Sequence, residues 1–471
     1  MRARTLDGRE IDLPQDAFAA LRARLRGPVL APHDAGYEDS RTVWNSMISR
    51  RPAVVVRCIG IADVIECVRF SREHNLLLCI KGGGHNIAGL AVADGALMLD
   101  MSLMRGVWVD PHGRVAHAQA GCVLGDVDRE TQLHGLAGVL GFVSLTGITG
   151  LTLGGGIGYL TRRWGWTADN VVGMDIVTAD ARLMRASSEE NEDLFWGLRG
   201  GGGNFGVVTG IDYTLYRVGP EIVGGVVAWP ASEAPGVLEL YTRLAQQAPP
   251  ELTLVAILRP APPAPWLPKE RHGTPTVALL ACHTGDPDEG EKAVAPIKSF
   301  GKPIGDILTR RPYVQIQSLL DATQPKGRRY YWKSEYLPRI EPALCERVIE
   351  HASRIRSPHS AVILFQMEGA LNRLSQDHSP VGNRDARYLL NIAGSWEQPD
   401  DDEANIEWAR LAWNDMRQFS TGGTYINFLT EDDGIERTAA ALGTAVPRLA
   451  QVKTRWDPHN VFRTNRNIVT A

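Results

Sequence analysis

The sequence predicts an α+β protein built of two units, and three observations point there. First, a buried-strand run (Ala53–Cys58) precedes apolar positions at helical spacing in Ala62–Asn75 (Val64, Ile65, Val68, Phe70) and a second apolar run, Leu76–Ile80. Strand, helix and strand in that order make a small α/β unit. Second, glycine is unevenly spread: of 48 glycines in 471 residues, 27 fall between Lys81 and Gly210. Third, glycine thins out after Pro220, and the strand patterns Val223–Trp229, Leu252–Leu258 and Val277–His283 are interleaved with helical ones. That alternation predicts a sheet with helices on one face.

Taken in order, Asp16–Arg26 reads as a helical lead-in, followed by a polar stretch through His33–Asn45. Beyond the strand–helix–strand unit, Leu97–Met101, Val107–Val109 and Val115–Ala120 are strand patterns separated by turn residues. Val123–His134 is a helix stopped by Gly135. Val172–Thr178, Leu183–Ala186 and Val207–Leu215 complete the strands of the first half. Arg259–Gly273 carries five prolines and reads as an exposed loop. Helices are predicted at Pro235–Gln247, Asp288–Ser299, Glu341–Arg356, Glu403–Phe419, Ile435–Leu442 and Pro447–Arg455. Proline suits the first position of Pro235–Gln247, whereas Pro296 puts the end of Asp288–Ser299 in question.

Composition narrows the function classes. Fifty basic residues against 54 acidic ones give a formal charge of −4, without the basic excess of a nucleic-acid binder. The segment Gly135–Leu160 has no charged residue and is long enough to mimic a membrane span, but nine of its 26 residues are glycine. Each glycine disfavours a helix by about 1 kcal/mol relative to alanine, so the segment reads as ligand-facing loop and no membrane association is expected. The N-terminus shows no apolar signal-peptide core, and a cytoplasmic protein is the expectation. The six cysteines form no CxxC pair and read as reduced thiols. His112 and His117 lie in a strand region without a carboxylate partner pattern, so no metal site is read.

Three glycine clusters carry the chemistry: Lys81-Gly82-Gly83-Gly84-His85-Asn86, the segment Gly147–Gly158, and Arg199–Gly206. Such runs leave successive backbone N–H groups uncovered, and these make anion-binding nests suited to a pyrophosphate. None has the Rossmann or P-loop spacing. His85, behind three glycines, is placed to present its imidazole to the same ligand.

These clusters, together with Trp166–Asn170 (WTADN), Asp193–Gly206 (DLFWGLRGGGGNFG) and the ending Trp456–Ile468 (WDPHNVFRTNRNI), resemble the FAD-linked oxidases of the vanillyl-alcohol-oxidase type, and among them the berberine-bridge-enzyme-like group. The resemblance implies a two-lobed PCMH-type FAD-binding fold: two α/β subdomains, plus a substrate lobe of antiparallel sheet covered by helices. Residues 1–217 and the returning 447–471 would bind FAD, and 218–446 the substrate. It implies covalent attachment of the flavin through His85. It also implies cofactor contacts from Lys81, Gly82, Gly83, Gly84, Asn86, Gly89, Gly147, Ile148, Gly150, Leu151, Gly154, Ile157, Asn170, Gly206, Val208, Asn427 and Asn465.

Two departures bear on the chemistry. The cysteine that gives many members a second flavin bond falls on Val143, and Cys122 lies too far upstream to replace it. The flavin is therefore expected to be singly attached, as in hydroxynicotine oxidases. The tyrosine of alcohol-oxidising members falls on Ile157, with Tyr159 two residues on, and the glutamate base of the berberine bridge enzyme falls near Asn391. Asparagine is no base at neutral pH. Tyr425, in Tyr425-Ile-Asn427, becomes the candidate for binding or deprotonating the substrate, with Lys333 or Arg384 as the cation that a basic tyrosine needs. Among the aromatics Trp332, Tyr336, Phe365, Trp396 and Phe428, a minority would line the pocket. Thr146, three residues after Val143, falls where the family sets oxygen access.

The expectation is an FAD-dependent oxidase that transfers hydride from a small organic substrate (alcohol, sugar or amine) to flavin N5 and returns the electrons to O2 as hydrogen peroxide. A dehydrogenase with another electron acceptor and a flavin-binding protein without turnover share the same motifs. No nucleic-acid partner is expected, and no oligomeric state is predicted.

Overall fold

The protein is described from a computed structural model covering residues 2–471. It is α+β, with three main sheets. The first has strands ordered Val29–Leu30, Val54–Arg57, Leu97–Asp100 and Leu78–Lys81, the last three parallel. The crossover helix Ile61–Glu73 buries Val64, Val68 and Phe70 of the apolar stripe read from sequence, together with Cys67, while Ile65 is only half-buried. The second sheet is antiparallel and runs Leu183–Ser187, Val171–Val177, Val207–Arg217, Val115–Gln119, Val107–Asp110, with Leu136–Gly138 paired to the far end of Val207–Arg217. Helix Leu124–Thr131 continues as a 3₁₀ turn to His134 and stops at Gly135, whose φ of 62° is left-handed.

The third sheet, eight antiparallel strands, holds the second half. Its main run is Glu221–Pro230, Pro275–His283, Leu252–Pro260, Ala361–Gln366, Tyr388–Trp396, Arg329–Leu337. Side chains alternate faces along a strand. Leu252, Leu254, Ala256 and Leu258 pack under helices Ala234–Gln247, Pro287–Lys298, Pro342–Ser353 and Asp402–Met416. Val255, Phe365 and Leu389 lie on the opposite face, against Ile157, Tyr159, Trp166 and Tyr425. That second face closes the candidate site. Pro296 does not end its helix, which reaches Lys298. Gly135–Leu160 is mostly loop, as expected, with one short helix at Ile148–Leu153. Among the described residues no helix is long and apolar enough to cross a membrane. His117 does meet a carboxylate: its Nδ1 is 2.6 Å from Asp212 Oδ1, on the neighbouring strand.

Helix Leu124–Thr131 also buries Asp128, whose carboxyl oxygens have no hydrogen-bond partner. Burial raises this carboxyl to about 7. An unfolded Asp titrates near 3.9, so the folded protein holds a proton that the unfolded chain releases, and stability falls as pH rises from about 4 to 7. Asp128→Asn is expected to raise the unfolding midpoint at pH 8 and leave it nearly unchanged at pH 4. Roughly three pKa units at about 1.4 kcal/mol each set a ceiling of about 4 kcal/mol. Thermal melts across pH check this; equal shifts at both pH values would contradict it.

Candidate active site

The three glycine clusters meet in space. A Cβ on Gly83 would stand 2.5 Å from Gly147 Cα, and one on Gly147 would stand 2.4 Å from Gly83 N. Only glycine at both positions allows the first two clusters to touch. Gly202 N donates to Leu153 O at 2.9 Å and joins the third cluster to the second. The C-terminal segment closes the group. Asn465 Nδ2 donates to Gly203 O at 3.0 Å, and Lys453 Nζ reaches Asn204 O, Asp457 Oδ2 and Phe462 O at 2.7, 2.7 and 3.0 Å.

Between these loops and the free face of the third sheet lies a cavity of about 340 Å³. Its wall includes His85, Gly82, Gly83, Gly84, Asn86, Thr146, Gly147, Gly150, Leu151, Gly154, Ile157, Gly206, Val208, Tyr425, Asn427 and Asn465. Four expected cofactor residues stand outside that wall. Lys81 turns its ammonium to the Ser40 carbonyl and to Asp100. Gly89, at φ 67°, packs on Ile48. Ile148 is buried in the core beneath the loop. Asn170 Nδ2 donates to the carbonyls of Trp164 and Trp166, and its Oδ1 accepts from the Tyr216 hydroxyl. These four shape the loops that carry the wall.

His85 is half-buried, its ring stacked on Trp44 at 4.4 Å, with the Nε2 atom itself buried and without a hydrogen-bond partner. Burial lowers it to about 4, so the imidazole is neutral at pH 7. Val143 lines the cavity, whereas Cys122 does not; the Cys122 thiol points to Gly106 O at 3.5 Å.

Tyr425 is buried, and its hydroxyl oxygen accepts from Gly156 N at 3.1 Å and Asn427 Nδ2 at 2.9 Å. Burial pushes the phenol well above its ordinary range. The cations expected beside it are engaged elsewhere. Lys333 Nζ lies on the helix side of the sheet, bonded to Asp433, Asp432 and Thr430 at 2.8, 3.0 and 3.2 Å. Arg384 clamps Asp169 at 2.6 and 3.0 Å. Burial and the lack of an adjacent cation keep the proton on Tyr425 although these two donors oppose that, and with both acceptor positions filled the hydroxyl is left as a donor. Tyr159 is buried against Phe142 at 4.8 Å, outside the wall.

The sheet contributes residues that motif reading could not rank. Trp332, Ile363, Phe365, Asn391 and Ala393 form the far wall, with Phe142, Leu320, Gln324 and Phe428 from loops. Tyr336 and Trp396 stay in the cores. Buried, unpartnered atoms at His85 Nε2 and Asn465 Oδ1, beside a cradle that Cβ atoms would fill, fit a large polar cofactor with a reactive ring, and FAD is such a group.

The comparisons agree with this geometry. Residues 52–187 match the FAD binding domain model, and residues 424–469 match the model described as berberine and berberine like. The (R)-6-hydroxynicotine oxidase of Paenarthrobacter nicotinovorans is 29% identical over 456 residues, covering 94% of this chain and 97% of that protein. An FAD-linked oxidoreductase of Dictyostelium discoideum is 28% identical over 429 residues, 90% of each chain. The crystal structure of 6-hydroxy-D-nicotine oxidase from Arthrobacter nicotinovorans superposes with a TM-score of 0.83 at 28% identity, over 94% of this chain and 98% of that one. The chain is an FAD-dependent oxidoreductase that carries an FAD binding domain and a berberine-like segment, and its sequence and fold are consistent with a berberine-bridge-enzyme-like flavoprotein of the vanillyl-alcohol-oxidase type.

Proposed function

We propose that this protein is an oxidase of small, largely apolar amines, with FAD attached through His85 alone. In this reading the two sheets before Pro220, with the C-terminal segment 447–471, hold FAD, and the third sheet holds the substrate. The glycine loops would cradle the pyrophosphate, and His85 and Asn427 would meet the ring. The chemistry supplied by bound FAD is acceptance of a hydride from a substrate carbon, with the electrons passed to oxygen as peroxide.

One observation carries the amine reading. Among the described residues of the wall, only His85, Tyr425 and Arg466 have titratable side chains. His85 would be committed to the flavin, Tyr425 holds its proton, and Arg466 is spent on the carbonyls of Leu429 and Asp433 at 2.7 and 2.8 Å. An alcohol or sugar hydroxyl must shed a proton as hydride leaves, and that requires a general base. A neutral amine brings its own lone pair. Trp332, Ile363, Phe365 and Phe428 exclude water and hold the apolar part, while the Tyr425 hydroxyl donates to the substrate and orients it.

The test is anaerobic mixing of the yellow protein with matched amines, alcohols and sugars, followed by peroxide detection in air. Amines should bleach the flavin, with kcat/KM rising tenfold per pH unit below the substrate's own ammonium pKa and kcat flat. Bleaching by alcohols alone would sink the reading, and reduction without peroxide would make the protein a dehydrogenase. Tyr425→Phe is expected to slow anaerobic flavin reduction about tenfold, about 1.4 kcal/mol of transition-state stabilisation, and leave the flavin spectrum unchanged. An unaltered rate would leave Tyr425 a packing residue on Trp166, 5.6 Å away.

A further inference from the structure

Beyond the main cavity, behind Gln324 and Trp332, lies a second chamber of about 60 Å³. The two spaces share Leu320, Gln324, Trp332, Ile363, Phe365 and Ala393. The arrangement follows from strand periodicity. Ile363 and Ala361 share one sheet face, as do Asn391, Ala393 and Ser395, and each two-residue step advances by about 6.8 Å. The main cavity uses Ile363, Asn391 and Ala393; the chamber uses Ala361, Ala393 and Ser395, one step further. Arg259, on the same face of the neighbouring strand Leu252–Pro260, completes it.

Arg259 is the only cation in the chamber wall without a carboxylate among the described residues. Its Nε and Nη2 donate to the carbonyls of Pro260 and Pro358, at 3.2 and 3.3 Å. Burial, followed by the positive charge of nearby Arg328, lowers it to about 10. Arg328 itself donates to the Thr323 carbonyl at 3.3 Å. His359 also lines the chamber, but its Nε2 is paired with Glu397 Oε1 at 3.0 Å. The Trp332 indole N–H is buried and makes no hydrogen bond. A half-buried guanidinium that faces a second cation and no anion is an unfavourable arrangement that a bound anion relieves. The chamber's size admits a carboxylate and excludes a sugar phosphate.

We propose that this chamber is an anion subsite that takes the carboxylate tail of the substrate, paired with Arg259, while the apolar part lies along Ile363 and Phe365 in the main cavity. The inference rests on the main cavity being the substrate site, and it does not depend on which bond is oxidised. The probes are 4-phenylbutyrate and its neutral isostere 4-phenylbutanamide, titrated calorimetrically into the flavin-loaded protein. The wild type should bind the acid at least tenfold tighter than the amide. Arg259→Gln should abolish that preference and bind the amide as the wild type does, and Arg259→Lys should keep part of it. Equal binding of acid and amide by the wild type, a comparison that needs no variant, would overturn the proposal, as would an acid preference surviving in Arg259→Gln. Amine oxidation without any acid preference would remove this inference alone. Acid preference in a protein that oxidises only alcohols would remove the amine reading and leave the subsite standing.

Discussion

His85→Ala protein, denatured and run on a gel, is expected to show no yellow fluorescence, where the wild type keeps its flavin band. His85 Nε2 is a neutral, buried nucleophile at the cavity wall with no hydrogen bond to give up. A buried polar atom left unpaired disfavours folding by about 1–3 kcal/mol, and bond formation to a ligand removes that penalty. Stacking on Trp44 at 4.4 Å fixes the ring plane, so the nitrogen is aimed before the cofactor arrives. No cysteine stands in the described wall. Val143, where the sequence resemblance puts the second attachment, lines the cavity, and burial raises the Cys122 thiol to about 12, which leaves no thiolate at neutral pH. Cys122→Ala should therefore keep the fluorescent band. A flavin peptide containing cysteine, or a fluorescent His85→Ala band, would overturn single attachment through His85.

What was legible in the sequence was what a short stretch decides. The helix stop at Gly135 and the stripe Val64–Phe70 follow from local periodicity and backbone freedom, and the structure has them. The glycine clusters were legible as nests, and Gly83 against Gly147 shows why glycine is required there. The far wall of the cavity was harder to read, because it is assembled across strands. Asn391 faces the cavity only because register sets it beside Ile363 and Ser334, and Gln324 arrives from a loop. Lys333 misled for the same reason. Its carboxylate partners Asp432 and Asp433 lie about a hundred residues away, and strand alternation sends it to the helix side while Trp332 goes to the cavity. Tyr425 was found by motif, but its role turned on two acceptor contacts, from Gly156 N–H and the Asn427 amide, which only the fold supplies.

Thr146→Leu is expected to slow reoxidation of the reduced protein by oxygen about a hundredfold, about 2.7 kcal/mol on the barrier, while anaerobic reduction by substrate stays near wild type. Thr146 lines the cavity on a backbone that cannot retreat. Its N–H donates to Val143 O at 3.1 Å, and its carbonyl accepts from Leu124 N at 3.0 Å. The next residue, Gly147, is wedged against Gly83 so closely that even a Cβ would stand 2.4 Å from Gly83 N. Added volume at position 146 therefore extends into the cavity. Threonine is close to valine in volume and leaves that space to a small molecule; leucine adds bulk beyond the β-carbon. Thr146→Val separates volume from hydrogen bonding: if space governs oxygen access it should reoxidise as the wild type does, and if the hydroxyl governs it should be as slow as Thr146→Leu. Stopped-flow measurement of the two half-reactions distinguishes the cases. Equal reoxidation in wild type and Thr146→Leu would mean that oxygen reaches the flavin by another route, and a wild type that is reoxidised by artificial dyes but barely by oxygen would make the protein a dehydrogenase.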